Sequence, residues 1–140
     1  MGRRHNARRL AMQVLYQMDL RPGRTEEAKT LAIDGSQSEP ATKAMADHFV
    51  SGVWQHLAEL DGHIQKRSEH WRIDRISSLD KAILRLALFE LFYEDTPAQV
   101  VVDEAIEIAK AYSGDDAHKF INGILGSVIE ARKTLNPKPE

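Results

Sequence analysis

Apolar residues recur at steps of three and four along most of the chain, and one stretch breaks that rule by being apolar all round. Between Leu79 and Tyr93, the run LDKAILRLALFELFY places Ile83, Leu84, Leu86, Ala87, Leu88, Phe89, Leu91 and Phe92 on every side of a helix, whereas a surface helix shows a single apolar stripe. A helix of this kind has to be wrapped by others. Lys81, Arg85 and Glu90 interrupt it, and it falls short of the roughly 20 apolar residues that a bilayer requires. It is therefore predicted to be the central helix of a small helical domain. Ser77 or Ser78 would cap it, with Asp80 in the first turn, where a negative charge is favoured.

The flanking segments read as amphipathic helices. From Arg4 to Leu20 the residues Ala7, Leu10, Ala11, Val14, Leu15 and Met18 form one stripe, which puts His5, Arg9, Gln13 and Tyr16 on the opposite, solvated face with Arg8 and Met12 flanking it. Arg21-Pro-Gly-Arg stops that helix, and Thr25 can cap a short one over roughly 26–33. The segment DGSQSEP, 34–40, is a loop by composition. After it, Met45, Phe49, Val53, Leu57, Leu60 and Ile64 predict a long helix reaching about Trp71, kinked or split at Gly62. Residues 71–76 are a connector pinned to the core by their apolar members. A further helix is expected from Ala98 to Tyr112, with Val101, Ala105, Ile108, Ala109 and Tyr112 inward and Gly114 closing it in the left-handed C′ position. The last helix opens at Asp115 and buries Ile121, Ile124, Leu125 and Val128; Phe120 falls on the side of Asp116, and Lys119 faces away. No strand-like alternation and no internal repeat is found, and Asn136 to Glu140 reads as a frayed tail.

Composition narrows the function classes. At 140 residues the chain fits a single domain, 1–140, able to bury a core without covalent staples. The lack of cysteine excludes disulfides and thiolate metal sites. With no signal-peptide core and no transmembrane run, a cytoplasmic protein with no membrane association is expected. The net charge of −2 hides an asymmetry: residues 1–24 carry six arginines against the single Asp19, a local balance of +5, so the remainder carries −7. A cationic first segment on an acidic body suggests a polyanion site at one end and a basic protein partner elsewhere.

Catalytic chemistry finds little to stand on. There is no glycine-rich phosphate loop, no HExxH and no cysteine nucleophile. His48, His56, His63 and His70 lie about seven residues apart, about 10.5 Å of helix rise, so they cannot share an ion bound at about 2 Å. No metal and no cofactor are expected. Glu90 and Arg85, within the apolar run, read as paired structural charges. Two places remain. Tyr16 among basic and amide side chains fits a solvated helix face and a nucleic-acid surface equally well. At the start of the last helix, Asp115 and Asp116 suit free amides and the helix dipole; their carboxylates can also accept from a base amino group while Phe120 offers a stacking face.

Three segments, RRHNARRLAMQVLYQ, LDKAILRLALFEL and VVVDEAIEIAKAYSGDDAHKFINGIL, together with the order of seven helices, resemble the NusB family of bacterial transcription antitermination factors. The resemblance covers essentially the whole chain, is most specific over 79–128, and between 21 and 70 matches only in helical layout. It implies an all-α fold, a compact bundle of about seven helices in two small helical subdomains, with no catalysis. It also implies binding of single-stranded boxA RNA of ribosomal RNA leaders together with NusE, a small-subunit ribosomal protein, within the RNA polymerase antitermination complex. Matched position by position, Arg3, Arg4 and Arg8 fall in the family's arginine-rich RNA-binding segment and Tyr16 on its RNA-side tyrosine. Asp116, Lys119 and Phe120 match a second RNA-facing cluster, and Asp80 an acidic residue facing NusE. Two departures stand out. Ala117 replaces a common serine, and His5-Asn6 stands where some relatives have further arginines, implying modest affinity for RNA alone. A helical interaction protein that binds no RNA, and a NusB-like domain of a ribosomal RNA methyltransferase, are the alternatives; monomer and homodimer both stay open.

Overall fold

The computed structural model describes residues 2–21, 25–68, 72–114 and 116–135, the side chains at 25, 134 and 135 excepted. Every regular element among the described residues is helical: α1 (Arg3–Leu20), α2 (Thr25–Asp34), α3 (Pro40–Gln55), α4 (Leu57–Arg67), α5 (Ser78–Tyr93), α6 (Ala98–Tyr112) and α7 (Ala117–Leu135), with a single 3-10 turn at Ile73–Arg75. The expected capping by Thr25, the part played by Trp71 and His70, the role of Asp115 and the tail from Asn136 fall outside the described residues.

Helix α5 is the hub. It packs against α1, α3, α4, α6 and α7, while α1 also lies on α2 and α3, and α7 on α4 and α6. Ten consecutive residues, Ala82 to Leu91, are buried, as the all-round apolar pattern requires. Ser77 caps the helix by accepting the Asp80 N–H at 3.1 Å, offsetting one of the donors a helix start leaves free.

The two charges buried in α5 are both paired, and each pair stitches it to another helix. Arg85 donates to both Asp61 oxygens at 2.7 and 2.8 Å and to Asp19 at 3.2 Å. Glu90 accepts two hydrogen bonds from Arg8, each 2.8 Å, and one from Thr96 at 3.2 Å. The structural role expected for them holds, with partners supplied by α1 and α4.

Three expectations are corrected. The long helix divides at His56, where φ is −111° and ψ 20°, and Gly62 lies inside α4 in open space. The His56 N–H is shared between the carbonyls of Gly52 and Val53, both at 3.2 Å, which tightens the turn there; a glycine within a helix costs only about 1 kcal/mol and need not break it. Gly114 has no left-handed φ, because Ser113 already leaves the helix in an extended conformation, its N–H on the Ala109 carbonyl at 2.8 Å and its hydroxyl on Asp80 at 2.6 Å. Tyr112, expected inward, is exposed, while Val102 takes a buried place.

The histidines at 48, 56 and 63 each have their own aromatic or acidic partner. His56 stacks on Tyr93 with ring centroids 3.9 Å apart, His63 on Phe92 at 4.6 Å, and His48 pairs with Glu94. No helix among the described residues is long and apolar enough to cross a membrane.

Candidate nucleic-acid interface

The stripe of α1 is buried as its spacing predicts: Ala7, Leu10, Ala11, Val14, Leu15 and Met18 are all within the core. The buried arc is wider than the stripe, though, because α5 and α6 cover its flank. Met12 is 1 % exposed and Arg8 4 %, and both face Ile83, Leu86, Ala87 and Val101. Arg8, expected among the RNA-contacting arginines, is therefore corrected to a buried ion-paired residue. Its bidentate bond to Glu90 is joined by the Glu104 carboxylate 3.9 Å away. Burial pulls the Arg8 pKa down, but the hydrogen bonds and charge of Glu90, helped by Glu104, outweigh it and hold the guanidinium charged. His5, expected on the solvated face, is half-buried with Nδ1 2.7 Å from Glu104.

What remains exposed on α1 is a free cationic and aromatic surface. Arg3, Arg4, Arg9, Gln13 and Tyr16 are exposed. The three arginines have no hydrogen-bond or ion-pair partner among the described residues, in contrast to Arg8 and Arg85. Unpaired guanidiniums strung along a helix can hold successive phosphates, and an accessible ring farther along it can stack a base.

The second cluster sits at the start of α7. The Asp116 carbonyl accepts the N–H groups of Lys119 and Phe120 at 3.2 and 3.4 Å, so the backbone of Asp116 starts the helix. Its carboxylate is open to solvent, 97 % exposed. Lys119 is exposed, turned away from the core as expected, with its Nζ 4.0 Å from that carboxylate. Phe120 is half-buried against the core, so one face of its ring is committed to packing. Helices α1 and α7 both pack on α5, yet Tyr16 and Phe120 share no ring contact; the structure gives two separate candidate surfaces. Asp80 is half-buried at the start of α5 and bonded to Ser113, three residues before Asp116.

One part of the surface was not visible in the spacing. The loop 35–39 comes back against α1 and encloses an open cleft of about 690 Å³, lined on the helix side by Arg3, Asn6, Arg9 and Gln13. The i, i+3, i+7 repeat of Asn6, Arg9 and Gln13 places them on one side of the helix, but nothing local tells that a loop some thirty residues away will face them.

The family model described as the NusB family matches residues 5–130. A transcription antitermination protein NusB from Halalkalibacterium halodurans is 44% identical over 131 residues, 93% of this chain and 96% of the relative. Among solved structures, NusB of T. maritima superposes with a TM-score of 0.82 at 32% identity, covering 93% of this chain and 92% of that one. A structure of the antitermination factors NusB and NusE in complex with double-stranded RNA gives 0.83 at 28% identity, covering 94% and 98%. A match over nearly the whole length, carried by the same helical architecture, places the chain in the NusB family.

Proposed function

We propose that this chain is a transcription antitermination factor that binds single-stranded boxA-type RNA of ribosomal RNA leaders together with NusE and helps RNA polymerase read through terminators in the cytoplasm. The observation that carries this function is the exposed face of α1, along which Arg3, Arg4 and Arg9 stand unpaired and Tyr16 is accessible nearer the other end of the helix. Membership of the NusB family and likeness to a NusB in complex with NusE and RNA support the same assignment. The arginines supply salt-sensitive phosphate contacts, and Tyr16 and Phe120 supply stacking worth about 1 to 3 kcal/mol per base. Asp116 and Lys119 contribute polar contacts to bases beside Phe120. Arg8 acts through Glu90, fixing the helix that carries the exposed arginines. Asp80 faces the basic NusE, and a homodimer formed through the arginine face would compete with RNA. The function involves no catalysis.

The test is a fluorescence-anisotropy titration of boxA RNA, a base-scrambled strand and a duplex control, with and without NusE, at two salt concentrations. Preference for the boxA strand, enhanced by NusE and reduced at the higher salt, is expected; Tyr16→Ala should weaken it, and Asp80→Lys should abolish only the NusE enhancement. Equal affinity for all three RNAs would overturn sequence-selective binding, and no binding under any condition would leave a protein-interaction module.

A further inference from the structure

The cleft between α1 and the loop 35–39 is neither apolar nor saturated. Arg3 and Arg9 contribute cations, Asn6, Gln13 and Gln37 amides, Ser36, Ser38 and Thr42 hydroxyls, and Glu39 a carboxylate. Its volume of about 690 Å³ lies within the range of about 300 to 1,000 Å³ typical of small-ligand pockets. Elsewhere the buried Arg8 is engaged with Glu90, and the buried Arg85 with Asp61 and Asp19. Here the side chains of Arg3, Asn6, Arg9, Gln13, Gln37 and Glu39 have no hydrogen-bond or ion-pair partner among the described residues. Glu39 stays unpaired although two guanidiniums line the same cleft.

We propose that this cleft holds one unpaired RNA base carrying an exocyclic amino group, with the adjoining phosphates on Arg3 and Arg9; the proposal rests on the RNA-binding function above and adds a base-reading site to it. Two features select this occupant. A carboxylate is acceptor-only and repels phosphate, so Glu39 disfavours a site that binds phosphate alone but suits the amino groups of adenine, cytosine or guanine, which uracil lacks. The amides of Asn6 and Gln13 each present a donor beside an acceptor, the combination that meets a base edge with two hydrogen bonds. Tyr16 follows Gln13 by three residues on the same helix, where a neighbouring base can stack while the first occupies the cleft.

The decisive experiment compares labelled oligo(A), oligo(C) and oligo(U) of about ten nucleotides, within the length such surfaces engage, by anisotropy. The proteins are the unaltered chain, the double variant Gln13→Ala with Glu39→Ala, and Arg9→Ala. The unaltered chain should bind oligo(A) and oligo(C) about tenfold more tightly than oligo(U), the order of discrimination that one good base-edge pair gives. The double variant should lose that preference and bind oligo(U) at least as tightly as the unaltered chain, with an unchanged melting temperature because both side chains are exposed. Arg9→Ala should weaken all three RNAs alike and lower the salt slope by about 1. If the double variant keeps the preference, or loses affinity uniformly, the base pocket is wrong while RNA binding stands. Competition by AMP as strong as by oligo(A) would assign the cleft to a free nucleotide and overturn the proposal. If the unaltered chain binds no RNA even with NusE, the RNA-binding function fails as well.

Discussion

A guanidinium held away from water is tolerated only when a carboxylate meets it, and the converse is equally true. Arg8 and Glu90 are respectively 4 % and 2 % exposed, so removing Arg8 leaves the Glu90 charge buried with only the Thr96 hydroxyl for a partner. Arg8→Ala should therefore lower stability by about 3 to 5 kcal/mol, read as a fall in the urea midpoint. The double variant Arg8→Met with Glu90→Met should recover most of that loss and keep its affinity for RNA. A double variant that folds but no longer binds RNA would show that Arg8 touches the RNA itself. In the sequence Arg8 is one member of a run of arginines, and its 100° position put it at the edge of the polar face. The edge is where periodicity loses its meaning, because whether a flank is wet depends on how closely the next helix approaches. By contrast, that Arg85 and Glu90 would each need a partner was legible, since an arginine and a glutamate inside an unbroken apolar run have no other way to be tolerated. Arg9, Gln13 and Tyr16 were legible as an exposed face from their spacing and Arg3 and Arg4 only through the family resemblance, while Glu39 and Gln37 became site residues only through tertiary approach.

Helix boundaries followed a similar division. The ends of α5 and α6 carry strong local signals, Ser77 as a cap and Pro97 at the start of α6, and both helices run where the pattern placed them. The break between α3 and α4 has no comparable local mark, and it falls four residues after the point where α3 comes closest to α5. Gly52 is the contact point, since a Cβ placed there would lie 2.2 Å from Cζ of Phe89. Phe89 is itself buried, within an aromatic layer that includes His48, His56 and Tyr93. Gly52→Ala adds one methyl group to an exposed-looking helix and, on propensity alone, should stabilise it by about 0.5 to 1 kcal/mol. The close approach reverses the sign. Forcing the ring aside should cost about 1 to 3 kcal/mol, and a thermal melt reads the difference directly. An unchanged or raised melting temperature would mean that α3 can slide away from α5.

At the scale of the whole molecule, one carboxylate ties the first helix to the hub. Asp19, near the end of α1, accepts from the Ser78 hydroxyl and lies 3.2 Å from both Lys81 and Arg85 on α5; Arg85 in turn holds Asp61 of α4. Three helices thus meet on one charge cluster at the end of α1 away from the arginines. Burial pushes the Asp19 pKa up, but the Ser78 hydroxyl, Lys81 and Arg85 outweigh it and hold the carboxyl below its ordinary value of 3.8. A carboxyl with a lower pKa in the folded protein binds its proton more readily when unfolded, so stability rises with pH through this range. The contribution of Asp19 is complete above about pH 4 and is lost as acid carries the pH down through the folded-state value. Asp19→Asn should therefore lower the urea midpoint at neutral pH and flatten the acid side of the stability profile, so that variant and parent converge once the pH has fallen through the folded-state value. The two curves would instead stay parallel down to that pH if Asp19 were not tied to the cations of α5. Because the arginine-bearing face of α1 is carried by a helix anchored at this point, RNA affinity should survive acidification until this cluster releases, and then fall together with the fold.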